Sequence, residues 1–241
     1  MIAALVCLAA IASPMSQAQI PAMPAVPAVP AVPAPPSSPV GELKSLGQER
    51  YQVGRIVIDK RARSFSMPGR VNALGKPLEY LATSPGGMKA YETLFEVDAT
   101  GSEFNLACIL IGLERDPKLA ASKPPDAANV VGQRVAMSVA WTHDGQRRKV
   151  TAAEALFNAE ARAKIESVEW VYIGSFTSID GSRFAADFTG TLISFIKDPT
   201  GIIEAVPGVG LGPYGSMRGS AALPPEGSAI ELIVEAAPVR K

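Results

Sequence analysis

The sequence predicts a single α+β domain: a mostly antiparallel sheet with one buried helix and a second, peripheral helix, behind a disordered Pro/Ala-rich spacer. Three observations predict it. From about Tyr51 onward, short alternating apolar runs are separated by Gly, Pro and Asp-Gly turn chemistry, the pattern of half-buried antiparallel strands. Within that region Phe104 to Leu113 (FNLACILIGL) is apolar nearly all round, which suits a buried helix. Thr151-Ala152-Ala153-Glu154 has capping-box spacing ahead of an alanine-rich stretch.

The N-terminal segments differ from the rest. Ile2 to Ala12 is a run of eleven apolar residues, enough for the core of a secretion signal and short of the roughly twenty that a membrane span requires. Ser16-Gln17-Ala18 places small residues at both signal-peptidase positions, so residues 1–18 are expected to be removed after Ala18, although no Lys or Arg precedes the run. Val6 ahead of Cys7 departs from a lipid-anchoring pattern. Residues 19–45 read as a linker, because Pro21, Pro24, Pro27, Pro30 and Pro33 recur with the three-residue period of polyproline II. Such a spacer reaches about 60 Å. The domain is expected over 46–241, in a periplasmic or secreted protein with no transmembrane helix once mature.

Lys plus Arg equal Asp plus Glu at 23 each, which argues against nucleic acid and anionic membrane surfaces as partners. Cys7 lies in the leader, so the mature chain keeps Cys108 alone and forms no internal disulfide.

Along the domain, Tyr51 to Asp59 reads as the first strand, with Ile56 and Ile58 on one face. Leu78 to Thr83 and Ala90 to Val97 read as a hairpin joined by Ser84-Pro85-Gly86-Gly87. Ser102 is the expected N-cap of the buried helix. Arg134 to Thr142 and Arg147 to Val150 flank Asp144-Gly145, a type I′ hairpin signal. The second helix is expected from Thr151 to about Ile165. Strands follow at Glu169 to Phe176, Arg183 to Asp187 and Thr191 to Lys197, then a turn at Asp198 to Gly201 and a last strand at Ala229 to Ala236. Val206 to Ser228 is a Gly/Pro loop long enough to suggest a functional role.

Leu78-Glu79-Tyr80, Tyr91-Glu92-Thr93-Leu94, Leu110-Ile111-Gly112-Leu113, Trp170-Val171-Tyr172-Ile173-Gly174-Ser175 and Ala186-Asp187-Phe188-Thr189-Gly190 occur in that order between about Val53 and Pro238. In these pieces the chain resembles the YdjY-type domain of exported bacterial proteins. The resemblance implies an envelope setting and carries no established activity. An iron–sulfur role, implied by the ferredoxin-like label of some relatives, needs four cysteine ligands and does not fit a mature chain with Cys108 alone. No cofactor is expected.

Candidate sites are few. Trp170, Tyr172 and Phe176 share one strand face with Gly174, a stripe that either stacks on a flat ligand or packs into the core. Glu92, paired with Glu79 or Asp187, offers carboxylates for acid/base chemistry or a hard cation. Tyr214 and Arg218 ride on the long loop and are candidate partner contacts. His143, the single histidine, stands at a hairpin tip without the companions that zinc or a catalytic triad needs, so no metal site is expected. Gly208 to Gly212 lacks the spacing of a phosphate loop, and Cys108 reads as a core residue. The leading expectation is a non-catalytic binding or accessory module of the cell envelope, whose partner is an envelope protein or a small ligand. The alternative is a carboxylate-dependent or metal-assisted hydrolase-like enzyme, and a third reading uses the long loop or an exposed sheet edge to bind a partner.

Overall fold

Alternation of apolar and polar residues builds short strands whose partners come from distant parts of the chain. The computed structural model describes residues 40–116, 132–178, 181–206 and 215–237; the expected leader, nearly all of the spacer and Tyr214 lie outside these residues. The described order begins with β1 (Lys44–Gly47), β2 (Arg50–Val53), β3 (Ile56–Asp59) and β4 (Ser64–Val71). Next come β5 (Tyr80–Thr83), β6 (Thr93–Val97), helix α1 (Gly101–Leu110), and the long hairpin of β7 (Gln133–His143) and β8 (Gln146–Thr151). Then follow β9 (Leu156–Asn158), β10 (Ala163–Lys164), β11 (Trp170–Tyr172), helix α2 (Ala185–Thr189), β12 (Thr191–Ser194), β13 (Ile203–Ala205), β14 (Met217–Gly219) and β15 (Ala229–Ala236).

Eight strands close into a ring in the order β4, β15, β7, β11, β13, β12, β5, β6, with β6 returning to β4. This corrects the expected α+β class: the protein is mostly β, 43% strand against 10% helix, and its sheet is a closed barrel rather than an open one. Two junctions in the ring are parallel, β12 with β13 and β5 with β6.

Closure depends on strands that change partner along their length. β4 pairs with β3 through Ser64–Ser66 and with β6 through Gly69–Val71. The change falls beside Pro68, which has no N–H to offer a ladder. At Gly69 a Cβ would meet the Glu96 carbonyl oxygen at 2.5 Å and Val97 Cγ1 at 2.8 Å, so only glycine lets β6 approach. Arg70 and Glu96 face each other across the seam, Arg70 Nε donating to Glu96 Oε2 at 2.9 Å. β7 behaves alike, pairing with β11 through Gln133–Val135 and with β8 through Ser138–His143. No local sequence signal marks such exchanges, because pairing is set by nonlocal register.

The rows Phe65–Val234–Met137 and Met67–Leu232–Val139 lie in register across β4, β15 and β7, and every member is at most 5% exposed. Phe104 of α1 meets Phe65 edge to face, centroids 5.3 Å apart. Strands β10, β9 and β14 form a separate small sheet whose Leu156 and Met217 join the same core.

Several local expectations change with the tertiary structure. Tyr51 to Asp59 divides into β2 and β3 at Gly54, whose φ is +53°, while Ile56 and Ile58 are buried on one face as expected. The segments around β5 and β6 form a parallel pair and not a hairpin, because turns at Ser84–Gly87, Gly87–Ala90 and Lys89–Glu92 follow one another and carry the chain back across. Helix α1 is capped by Thr100 rather than Ser102, with Glu103 completing a capping box, and Ile109 is 52% exposed, so the helix is not buried all round. The Thr151–Glu154 bonds form, Glu154 N–H to Thr151 Oγ1 at 3.2 Å, yet no helix to Ile165 follows. Leu156 pairs with Gly219 instead, and the Asn158 side chain closes a turn onto the Glu160 and Ala161 amides. The expected strand Arg183 to Asp187 does not form: Ala185 to Asp187 are the first residues of α2, which ends at Gly190 with φ +73°. The Asp144-Gly145 hairpin, the Asp198–Gly201 turn and the strand Ala229–Ala236 are present as read from sequence. Among the described residues no helix is long and apolar enough to cross a membrane.

Candidate functional site

The β7–β8 hairpin outruns the barrel, and its alternation sorts its side chains. Val139, Trp141 and His143 share one face with their cross-strand partners Val150, Arg148 and Gln146. Val139 is fully buried, Trp141 half-buried and His143 exposed, so this face passes from core to solvent along the strand. The segment Ala222–Pro225 lies alongside and completes a cleft of about 480 Å³ lined by Trp141, His143, Arg148, Val150, Leu223 and Pro224. An indole between aliphatic side chains, prolines and a guanidinium can hold an apolar or flat group beside a negative charge.

The other face of the hairpin carries Ala140, Thr142, Lys149 and Arg147 and borders a second cleft of about 470 Å³ with Pro225, Ile230 and Glu231. Arg147 Nη2 donates to Glu231 Oε2 at 2.5 Å. Burial pushes the Glu231 carboxyl up, but hydrogen bonds from Ser66 and Arg147 and the charges of Arg147 and Lys149 hold it below its ordinary value. In a chain of zero net charge, Arg147-Arg148-Lys149 makes this hairpin a local positive centre.

A second constellation is buried on the face of the barrel wall turned away from the core. Tyr80, Ser194 and Glu204 are cross-strand neighbours on β5, β12 and β13, each at most 2% exposed. Among the described residues, Ser194 Oγ and Glu204 Oε1 have no hydrogen-bond partner. Burial pushes the Glu204 carboxyl up to about 7, against the opposing pull of Lys197 and the Asp198 N–H. The Tyr80 hydroxyl, bonded to Asp198, is raised by burial and by that carboxylate. Asp198 also accepts from Thr200 Oγ1 at 2.6 Å and Thr191 Oγ1 at 3.3 Å, which fixes the turn above the cluster.

The residues singled out in the sequence are dispersed. Trp170 and Tyr172 are buried at 3% and 2%; Trp170 packs on Phe195, and the Tyr172 hydroxyl donates to Asn105 Oδ1 at 2.7 Å. Strand β11 ends at Tyr172 and Gly174 has φ +74°, so Phe176 falls outside the row. Glu79 N–H donates to the Glu92 carbonyl at 3.0 Å, which brings those two backbones together, and the Glu92 carboxylate pairs with Lys89 at 2.9 Å. Asp187 stands elsewhere, accepting from the Ser102 N–H at 2.7 Å and from the Ser102 hydroxyl, a tie between α2 and α1. Arg218 donates to the carbonyls of Gly215 and Met217 within its own segment. His143 is exposed beside Asp144. Cys108 is fully buried, and burial pushes its thiol well up. Among the described residues no three His, Cys, Asp or Glu side chains converge to hold a metal.

Trp141, Arg148 and Glu204 escaped the sequence reading. The first two follow Val139 and Asp144-Gly145 in a legible hairpin, but Leu223 to Pro225, which complete their cleft, arrive some eighty residues later. Glu204 sits in a three-residue strand too short to show a period.

A family model described as YdjY domain matches residues 56–235, from β3 to the penultimate residue of β15. No curated protein and no solved structure matches the chain.

Proposed function

The chain belongs to the YdjY domain family, and we propose that it is an exported, non-catalytic binding module of the cell envelope that takes its ligand at the β7–β8 hairpin. The observation that carries this reading is the half-buried Trp141, held open to solvent between Arg148 and Pro224. The mouth of a barrel is a common place for a ligand site, because loops and strand ends there escape the packing of the wall. Export is supported by the apolar run Ile2 to Ala12 and the Ser16-Gln17-Ala18 triplet. A hydrolase finds less support: Glu92 is held by Lys89 and Asp187 by Ser102.

Calorimetric titration with short acidic, neutral and basic peptides and with charged and neutral oligosaccharides tests the binding reading. Binding by wild type that is lost in Trp141→Ala, at an unchanged melting temperature, supports the site. Binding unaffected by Trp141→Ala, or no binding across the panel, overturns it. Intact mass of the protein from a secreting host tests export, and a terminus other than Gln19 refutes the cleavage position.

A further inference from the structure

We propose that the open edge of β8 receives an acidic, extended segment of a partner protein as an added strand; this rests on the binding reading above and names the partner's chemistry. Among the described residues β8 pairs with β7 alone, leaving its other edge uncovered. The direction of its backbone groups follows from the register. Ala152 N–H donates to the Met137 carbonyl at 2.9 Å, and the two-residue Asp144-Gly145 loop closes on the pair His143 and Gln146. Hydrogen-bonded and non-hydrogen-bonded pairs alternate in an antiparallel ladder, so Arg147, Lys149 and Thr151 aim their N–H and C=O groups away from β7. Thr151 N–H is taken by Glu154 Oε2 at 2.7 Å. Arg147 and Lys149 therefore present two N–H and two C=O groups, spaced for a strand to pair with them.

This edge lacks the usual structural guards against pairing. Its register with β7 runs unbroken from Ser138 and Thr151 to His143 and Gln146, and β8 contains no proline. The other terminal strand, β1, by contrast has an irregular register between Ser45 and Gly47. What guards β8 is charge. Arg147 and Lys149 project on one face and Arg148 on the other, so two β8 edges brought together would oppose like charges on both faces. The same arrangement favours a strand that carries carboxylates. Arg148 and Lys149 have no ion-pair partner within 4.0 Å among the described residues, while Arg147 already holds Glu231. On the Arg148 face, Val150 borders the Trp141 cleft, so an apolar residue alternating with the acids gains a contact there. A saccharide offers no matching row of amides.

The probe is an acetylated, amidated octapeptide alternating Glu and Val, titrated into the full-length protein with amide exchange followed residue by residue. The expected result is binding that slows exchange at Arg147 and Lys149 at least about tenfold, and a peptide N-methylated at alternate amides that binds at least about tenfold more weakly. Lys149→Glu, on the face that the acids of the added strand occupy, should reverse the preference to the corresponding Lys/Val peptide. No binding overturns the proposal. So does equal binding of an oligogalacturonate or of the N-methylated peptide, which reduces the effect to polyanion attraction, or protection that rises with protein concentration alone, which assigns the edge to a second copy. Binding at Trp141 that leaves both amides unprotected overturns strand addition and leaves the cleft reading standing.

Discussion

Ser194 and Glu204 face each other across the parallel β12–β13 pair, each with a side-chain oxygen that has no hydrogen-bond partner among the described residues. Their strands are buried on every residue, and alternation turns Glu204 to the face opposite Ile203 and Ala205, which belong to the core, so a carboxyl is buried on the outer side of the barrel wall.

Glu204 should make stability fall as pH rises. Burial lifts its carboxyl from 4.5 to about 7. Below about pH 4.5 folded and unfolded chains both keep the proton and this group contributes no slope. Between 4.5 and about 7 the unfolded chain releases it while the fold retains it, so stability declines through that window, by on the order of 3 kcal/mol in all. Glu204→Gln should match wild type near pH 4 and melt higher at pH 8. Parallel melting curves for the two proteins across this range would refute the assignment.

The β4–β6 seam should be a sensitive backbone contact. Gly69→Ala drives a methyl into the Glu96 carbonyl oxygen and should cost about 2 kcal/mol or more, as overpacking does. At Gly75 an added methyl would have nothing within 4 Å, so Gly75→Ala should stay within about 0.5 kcal/mol. Urea titrations of both variants check this, and equal midpoints would count against a tight seam.

Two capping boxes of the same spacing should differ in worth. Thr100 caps a ten-residue helix, whereas the Thr151 box closes one turn that leads into β9. Thr100→Ala should lose about 1 kcal/mol and Thr151→Ala less than half of that. Chemical denaturation of the two single variants distinguishes them; a larger loss at Thr151 would contradict the ranking.

Cys108 should be inert in the native state. It is fully buried and burial raises its thiol, so little thiolate forms at neutral pH. An aromatic disulfide reagent should label it only as fast as the protein unfolds, with full labelling in denaturant. Rapid stoichiometric labelling of the native protein would show an open path to α1.

How much was legible varies with the range of the interaction. Asp144-Gly145 announces a hairpin because the turn needs positive φ at both residues, 49° and 73°, a demand met within two positions. The same local logic places the Asp198–Gly201 turn. It fails at Thr151–Glu154, where the cap bonds form as read but the pairing of Leu156 with Gly219 overrides the helical preference of the alanines. Glu92 and Glu79 illustrate the limit for sites: their backbones meet only because β5 and β6 run parallel, a relation that no spacing between them encodes.

The sequence by itself determined the Asp144-Gly145 and Asp198–Gly201 turns, the alternation of β3, β7 and β15 and the presence of a helix at α1, each decided by neighbours within a few residues, together with the family pattern. Tertiary structure alone decided that the sheet closes. Partner exchange beside Pro68 and the close approach at Gly69 depend on β6 arriving from elsewhere. It also decided which tryptophan meets solvent. Trp170 and Trp141 both sit in alternating strands, but Trp170 has Val135 and Ala205 on either side in the closed wall, whereas Trp141 lies past the rim, opposite Arg148. Burial belongs to the assembled sheet, because a side chain is desolvated only by what packs over it, and for these strands that comes from far along the chain.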